Sequence, residues 1–556
     1  MKRRTGIASA GALVRSIGAL QSKTFDIAIV GGGIAGAGIA RHAAKAGLSV
    51  VLLEEGDFSS GASSKSTNVT DGGLRDLALR DIRLARDLAL ERQVLRNLAP
   101  HLVEAITMIA PFRSFTHWIT FRLDFLFYKT LGLFASSDQH KRLNPEELEA
   151  SEPVLDASKK PYVWSYREYL IDDARLTIAA LRDASRRGAE CVNYVSVRKI
   201  EQRRKLYFLS ARDLIADKDF SVRCRCVVNA TGCWVQQLEA GITTGRSETD
   251  SPGSELSKSV HIAVPHRHLP INNLIFLEAA DKRPIFAVPK GQVTYIGATD
   301  TENIEAPTRW PTVTVEEINY LLAPISNYFS MSDLSPADVV SSWAGLYKAD
   351  PRSDRPDGQL VDGSRVWSDE IGVICVSLGR LSSFRSAAKA TMELVGQFLG
   401  RSAEIEDESE ALPGGDFSSR QPSDFVGAAG FSLASEVTRV ALLYKISQRV
   451  ALRLVRLYGA ETEKVLGYSP RPISSCVFAE EVDWAVSIEG ATSLEDVLYR
   501  RLRCVWFEPQ DLGVLAPAVA EHMANILRWD TSEQRRQRVA FEERIAFDLA
   551  AVPLAG

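Results

Sequence analysis

The sequence predicts an α/β chain: a doubly wound parallel-sheet region, a mixed-sheet second domain and an all-helical C-terminal domain. Three observations predict it. Residues 25–55 read strand, Gly-rich turn, helix, strand, as FDIAIV, GGGIAGAG, IARHAAKAGL and SVVLLEE. Residues 258–300 alternate as sheet does, in KSVHIAV, NLIFLEA, PIFAVP and VTYIGAT. Residues 402–424 are acidic and then Gly/Ser/Pro-rich, a linker composition, and 432–547 beyond them read as helices throughout.

The other elements follow in order. A helix is expected over about 76–98, with Leu77, Leu84, Leu88, Leu95 and Leu98 on one face and Pro100 ending it. The aromatic-rich stretch 112–135 is broken by Arg113, Arg122, Asp124 and Lys129, and reads as a core layer before a membrane-docking surface. Asp172 and Asp173 are N-cap candidates for a helix running to about Arg187. Residues 192–231 read as strands ending in CVVNATG, and 245–257 as a polar surface loop. VEEINYLLAPISNYF is helical, GVICVS is a buried strand, and GRLSSF leads into the helix SAAKATMELVGQFL.

A chain of 556 residues is too long for one core. A net charge of −4 does not suggest a nucleic-acid partner, which favours a basic face. The seven cysteines show no metal-like clustering, and Cys224 and Cys226, one residue apart, are badly spaced for zinc. No metal site is expected, and a reduced cytoplasmic setting is the simplest account. The basic segment 1–24 carries Lys2, Arg3, Arg4, Arg15 and Lys23 and no acid. Arg15 interrupts its apolar part, which argues against a secretory signal. A frayed extension or an upstream start is the first reading, a transit peptide or membrane-surface helix the alternative. No run of 18 apolar residues is available to span a bilayer.

The chemistry starts at Gly31, Gly33 and Gly36, a GxGxxG between strand and helix. The first glycine permits the tight turn, the second admits a pyrophosphate to the backbone, and the third lets helix pack on strand. The helix N-terminus then offers amide hydrogens and positive dipole to phosphates. Glu54 ends the second strand, where an acid accepts from ribose hydroxyls. Two features favour FAD over NAD: the unit lies at the start of the chain, and a later strand ends in Asn229-Ala230-Thr231-Gly232. That end is similar to the ATG that returns the chain to FAD in two-dinucleotide-domain flavoproteins, and its residues are small enough for close approach to a ligand. The loop SSGASSKSTNVTDGGLRDL, residues 59–77, overhangs the carboxyl ends of the strands. Its Ser and Gly residues, Ser63 and Ser64 among them, offer hydroxyl and amide donors to a pyrophosphate and flavin edge, and Arg75 reaches into the site.

The segments VGGGIAGAGIARHAAKAGLSVVLLEEGDF, ASSKSTNVTDGGLRDL, ERQVLRNLAPHL, YLIDDARL, VVNATGCWV, FAVPKGQVTYIGATD, LGRLSSFR and EEVDWAVSIEGATSLEDVLYRRLR come in the order and spacing of a known family. Over about residues 25–545 the chain resembles the FAD-dependent glycerol-3-phosphate dehydrogenases. The resemblance implies a two-dinucleotide-domain flavoprotein fold with a discontinuous FAD domain at about 25–110, 165–240 and 341–400. It implies a substrate domain at about 111–164 and 241–340, a linker at 401–424 and a helical domain at 425–556. FAD is the implied cofactor, with Gly379 and Leu381 of LGRLSSFR beside it. The implied reaction oxidises the secondary hydroxyl of glycerol 3-phosphate or a related polyol phosphate. Electrons then pass to a quinone-type acceptor at a membrane surface, or to oxygen, so peripheral contact with the inner face of a membrane is an expectation. Oligomeric state is not legible.

The chain departs from the family where substrate is held. HGGLRYL becomes DGGLRDL, so Asp71 and Asp76 replace His and Tyr while Arg75 stays. Gly345-Leu346-Tyr347-Lys348-Ala349 puts Tyr347 where a cation is usual, and Arg380 replaces a Lys. An unpaired buried charge costs about 3–5 kcal/mol, so Arg75, Arg380 and Lys348 or Arg352 would have to compensate a phosphate dianion. Asp71, Tyr347 and His261 are the candidate bases, with Asp71 read against an ordinary turn aspartate and His261 more readily as a satisfied sheet histidine. Arg75 as substrate anchor stands against a helix-start salt bridge, and Arg175 is placed to face the cap–FAD boundary. The alternatives are a different, non-phosphorylated alcohol or amine substrate, and an FAD-binding protein without catalysis.

Overall fold

The computed structural model describes residues 11–70, 82–112, 119, 140–156, 158–159, 162–242, 256–301, 304, 306–330, 334–348, 359–361, 364–402, 410–418 and 432–553. Along the chain the strands begin with β1 (Thr24–Val30), β2 (Val50–Leu53), β3 (Val103–Phe112), β4 (His140–Leu143) and β5 (Tyr162–Ile171). They continue as β6 (Glu190–Val192), β7 (Val195–Arg203), β8 (Leu206–Asp213), β9 (Lys218–Asn229), β10 (Leu256–Pro265) and β11 (Leu274–Glu278). β12 (Pro284–Lys290), β13 (Val293–Gly297), β14 (Ser341–Lys348), β15 (Gln359–Val361), β16 (Ser364–Ser368) and β17 (Ile374–Ser377) follow.

The first sheet runs β15-β16-β17-β9-β1-β2-β6, with β1 parallel to both β2 and β9. A parallel strand covered on both faces needs an apolar run rather than alternation, and FDIAIV and VVLL supply one. Helices α1 (Ile34–Lys45), α2 (Asp173–Arg186) and α3 (Phe384–Leu399) bury their inner sides in one core with this sheet. The antiparallel strands β7, β8 and β9 contribute Ile200, Tyr207, Leu209 and Val222 to a second core with residues of β1 and β2. Asp172 is the N-cap of α2, its carboxylate accepting from the Arg175 amide at 3.1 Å.

The second sheet runs β14-β10-β13-β12-β11-β3-β5-β4 and is mixed, since β11 pairs parallel with β3 while the other pairings are antiparallel. Strands β3, β5 and β14 lie wholly in it, so the expected boundaries at 110, 165 and 341 give way to the actual pairing. An apolar run such as ITMIAP does not declare which sheet it joins.

The C-terminal region is helical, with α4 (Leu433–Tyr444), α5 (Gln448–Tyr458), α6 (Ala479–Ser487), α7 (Leu512–Leu527) and α8 (Thr531–Asp548). Its core is continuous with the second sheet, where Trp506 stacks on Trp343 with centroids 5.1 Å apart. Among the described residues no helix is long and apolar enough to cross a membrane.

Two segments expected to be loose are docked. In the N-terminal extension the Leu13 amide donates to the Ile488 carbonyl at 2.8 Å, Arg15 pairs with Asp213 at 2.7 Å, and Leu20 is fully buried. Within the expected linker, Leu412 is buried and its amide donates to the Leu98 carbonyl at 2.9 Å. Residues 1–10, 403–409 and 419–431 lie outside the described residues, as does nearly all of the 112–135 stretch and of the 245–257 loop.

Candidate active site

A cavity of about 760 Å³ opens at the carboxyl ends of β1, β9 and β17, where Val30, Ala230 and Ser377 all line it. This is the edge at which open α/β sheets take their ligands. The turn after β1 explains its glycines. Gly31 has φ +109, and an added Cβ there would lie 2.5 Å from the Ala230 carbonyl oxygen. A Cβ on Gly36 would overlap the Gly31 carbonyl oxygen, so α1 can close on the turn only without one.

Glu54 ends β2 with both oxygens engaged: Oε2 accepts from the Gly32 amide at 2.6 Å and Oε1 from the Gly56 amide at 2.7 Å. Burial raises its carboxyl, and the two backbone donors work against that rise. The Ser63 hydroxyl accepts from the Ile34 amide at 3.0 Å, which leaves its own proton for an anion placed at the start of α1. The first turn of α1 contains no acid to compete with that anion. A glycine cradle too tight for side chains, a free hydroxyl proton and a terminal acid together fit a dinucleotide.

The structure gathers most of the predicted residues. Gly31, Gly33, Glu54, Ser63, Thr231, Gly232, Gly379, Leu381, Tyr347 and Arg380 all line the cavity. Gly36 does not, because its place is against Gly31. Ser64 does not either: it is buried, and its carbonyl accepts from Arg503 at 2.9 Å. Asp71, Arg75, Asp76 and Arg352 lie outside the described residues, as does the Lys348 side chain.

His261 is fully buried, with Nε2 2.9 Å from the Thr67 hydroxyl and its ring stacked on Trp343. Burial pushes its imidazole down to about 3, and it does not line the cavity but sits behind Thr67, which does. The sequence reading missed Asp300, Arg283, Arg309 and Lys65, which also line the cavity. The Tyr347 hydroxyl donates to Asp300 at 2.6 Å. Lys65 is buried with its ammonium 3.9 Å from the centroid of the Trp310 ring, and burial pulls its pKa down to about 7. Asp300 sits inside the motif YIGATD and Arg283 directly precedes PIFAVP, but only the pairing of β12 with β13, and of β10 with β13 and β14, brings both to the cavity that Tyr347 lines.

Fold and site together define a dinucleotide-binding flavoprotein with a mixed-sheet domain over the cofactor edge. The chain belongs to the FAD dependent oxidoreductase family, whose profile matches residues 26–376, and FAD is its cofactor. Residues 412–534 match the C-terminal domain of alpha-glycerophosphate oxidase. The chain is 28% identical over 540 residues to the aerobic glycerol-3-phosphate dehydrogenase of Bacillus subtilis, covering 93% of this chain and 94% of that one. It is 27% identical over 546 residues to the enzyme of the same name from Staphylococcus epidermidis, covering 96% of each chain. The solved glycerol-3-phosphate dehydrogenase from Bacillus halodurans, complexed with FAD, is similar with a TM-score of 0.75 and 26% identity, over 97% of this chain and 98% of that one.

Proposed function

We propose that this oxidoreductase oxidises the secondary hydroxyl of glycerol 3-phosphate, or of a related polyol phosphate, to the ketone and passes the electrons to a quinone-type acceptor. The observation that carries the reading is that Arg283 and Arg380 line the same cavity as Tyr347. Guanidinium groups there offset the charge of a phosphate dianion leaving water. Bound FAD supplies the acceptor for the hydride leaving the carbinol carbon. Tyr347 orients the substrate hydroxyl through an oxygen lone pair, and its own proton is already directed to Asp300 at 2.6 Å, so the pair offers a route for the alcohol proton. Asp71 as an alternative base and Arg75 as a phosphate anchor belong to the same reading. So does contact with a membrane face, which the exposed Leu442 and Leu443 beside exposed Lys445 support.

One observation favours a second reading, a substrate without phosphate. Asp300 brings a carboxylate to the wall where the anion would sit, and Tyr347 stands where a cation is usual. Steady-state assays with a quinone analogue against glycerol 3-phosphate, other polyol phosphates and their unphosphorylated partners decide between them. The proposal expects turnover of a phosphorylated polyol to its ketone. Turnover of unphosphorylated alcohols or amines alone defeats it.

A further inference from the structure

The loop that lines the cofactor cavity, residues 57–68, has left-handed backbone at two non-glycine residues, Ser59 with φ +65 and Asn68 with φ +58. Such positions persist only where surrounding structure holds them. The Ser59 amide donates to the Gly32 carbonyl and the Asn68 carbonyl accepts from the Ile171 amide, and the C-terminal domain adds further anchors to the loop between them. Arg501 grips Asp57, at the loop's start, with two parallel bonds of 2.7 and 2.8 Å, and Arg500 adds a third at 2.6 Å. Arg503, itself left-handed at φ +61, donates to the Ser64 carbonyl and to Asp173, each at 2.9 Å. The other oxygen of Asp173 accepts from the Ser66 amide at 2.9 Å and the Ser66 hydroxyl at 2.7 Å. All three arginines, Asp57 and Asp173 are buried, so these charge-assisted bonds act without screening by water.

The arginines do not themselves line the cavity, whereas Ser60, Ala62, Ser63 and Ser66 of the loop do. We propose that Arg501 and Arg503 are positioning residues for the cofactor: anchored at two points, the loop keeps the shape that receives FAD, so FAD affinity depends on the contact between the two domains. The C-terminal domain is on this account a support behind the cofactor loop rather than an appendage. The inference rests on the cofactor assignment and goes beyond it.

The test uses full-length protein stripped of flavin and titrated with FAD, with the melting temperature of each flavin-free protein measured alongside. Arg503→Lys and Arg501→Lys keep the charge and lose the paired geometry. The control is Glu461→Gln, which breaks an ion pair with Arg182 that joins the same two regions away from the loop. The expected result is FAD binding about tenfold or more weaker in both lysine variants. Glu461→Gln should bind as wild type, and the flavin-free lysine variants should melt no lower than the control. Unchanged affinity in the lysine variants overturns the proposal, and so does an equal loss in Glu461→Gln, which would mean general loosening. Should either lysine variant fail to fold, Ser66→Ala removes one of the loop's two Ser66 bonds to Asp173 and keeps the amide bond, without unpairing an ion. Its hydroxyl proton is already committed to Asp173, so several-fold weaker FAD binding supports the proposal and unchanged binding overturns it. Wild-type protein that takes up no FAD would instead overturn the cofactor assignment.

Discussion

The hydroxyl of Tyr347 on β14 donates to the carboxylate of Asp300, three residues beyond β13, at 2.6 Å on the wall of the cofactor cavity. Antiparallel pairing of β10 with both strands brings the two groups together. Tyr347→Phe removes a hydrogen bond to a carboxylate, which is worth about 1.5–3 kcal/mol. We expect kcat/KM for the natural substrate to fall about tenfold or more, with FAD content unchanged. Wild-type kinetics in Tyr347→Phe would take the pair out of the reaction.

Glu54→Gln should weaken FAD. The carboxylate accepts from two backbone amides at 2.6 and 2.7 Å, and the amide side chain keeps only one acceptor oxygen. The expected loss is about tenfold to a hundredfold in FAD dissociation constant, read by titration of flavin-free protein. Because burial raises the Glu54 carboxyl, wild-type affinity should also fall on acidification before that of a surface carboxylate would, and Glu54→Gln should lack this dependence.

Gly36→Ala places a methyl on the Gly31 carbonyl oxygen, and backbone cannot step aside as a side chain can. Destabilisation of about 1–3 kcal/mol is expected by denaturant unfolding, with loss of bound flavin. Gly47→Ala is the counterpart in open space: its φ of +73 is strained but nothing stands within 4 Å, so flavin should stay bound. Equal flavin retention in the two would contradict the close approach of α1 to the turn.

His261 sets a pH dependence. Its folded pKa is about 3, against about 6.5 for a free imidazole. Between those values the unfolded chain binds a proton that the folded chain refuses, so stability present above pH ~6.5 is lost as pH falls toward 3. The slope is about 1.4 kcal/mol per pH unit. His101, also pushed down to about 3 by burial, adds a second such slope. His261→Gln should therefore lose less melting temperature than wild type between about pH 6.5 and pH 5. Parallel curves would mean that His261 titrates normally.

What was legible in the sequence was what is local. β1, the glycine turn, α1 and Glu54 fall within 31 residues, and their spacing alone states their geometry. The Asp172 cap was legible for the same reason. Its neighbour Asp173 was not, because its partners are Ser66, 107 residues away, and Arg503, 330 away. The arginines of LYRRLR look like an ordinary solvated face, yet Arg500, Arg501 and Arg503 are buried, since acids from another domain neutralise them. The N-terminal extension misled for a similar reason. Arg15 reads as a stray charge until Asp213 meets it across the fold. Tyr347 was singled out by its departure from the family pattern, but Asp300 had to wait for the register of β10.

Anaerobic mixing of the purified FAD-bound protein with glycerol 3-phosphate tests the central claim most directly, with the visible flavin absorbance as readout. The account predicts rapid bleaching by glycerol 3-phosphate or another polyol phosphate and none by glycerol. A flavin that dithionite bleaches but no polyol phosphate does would contradict it.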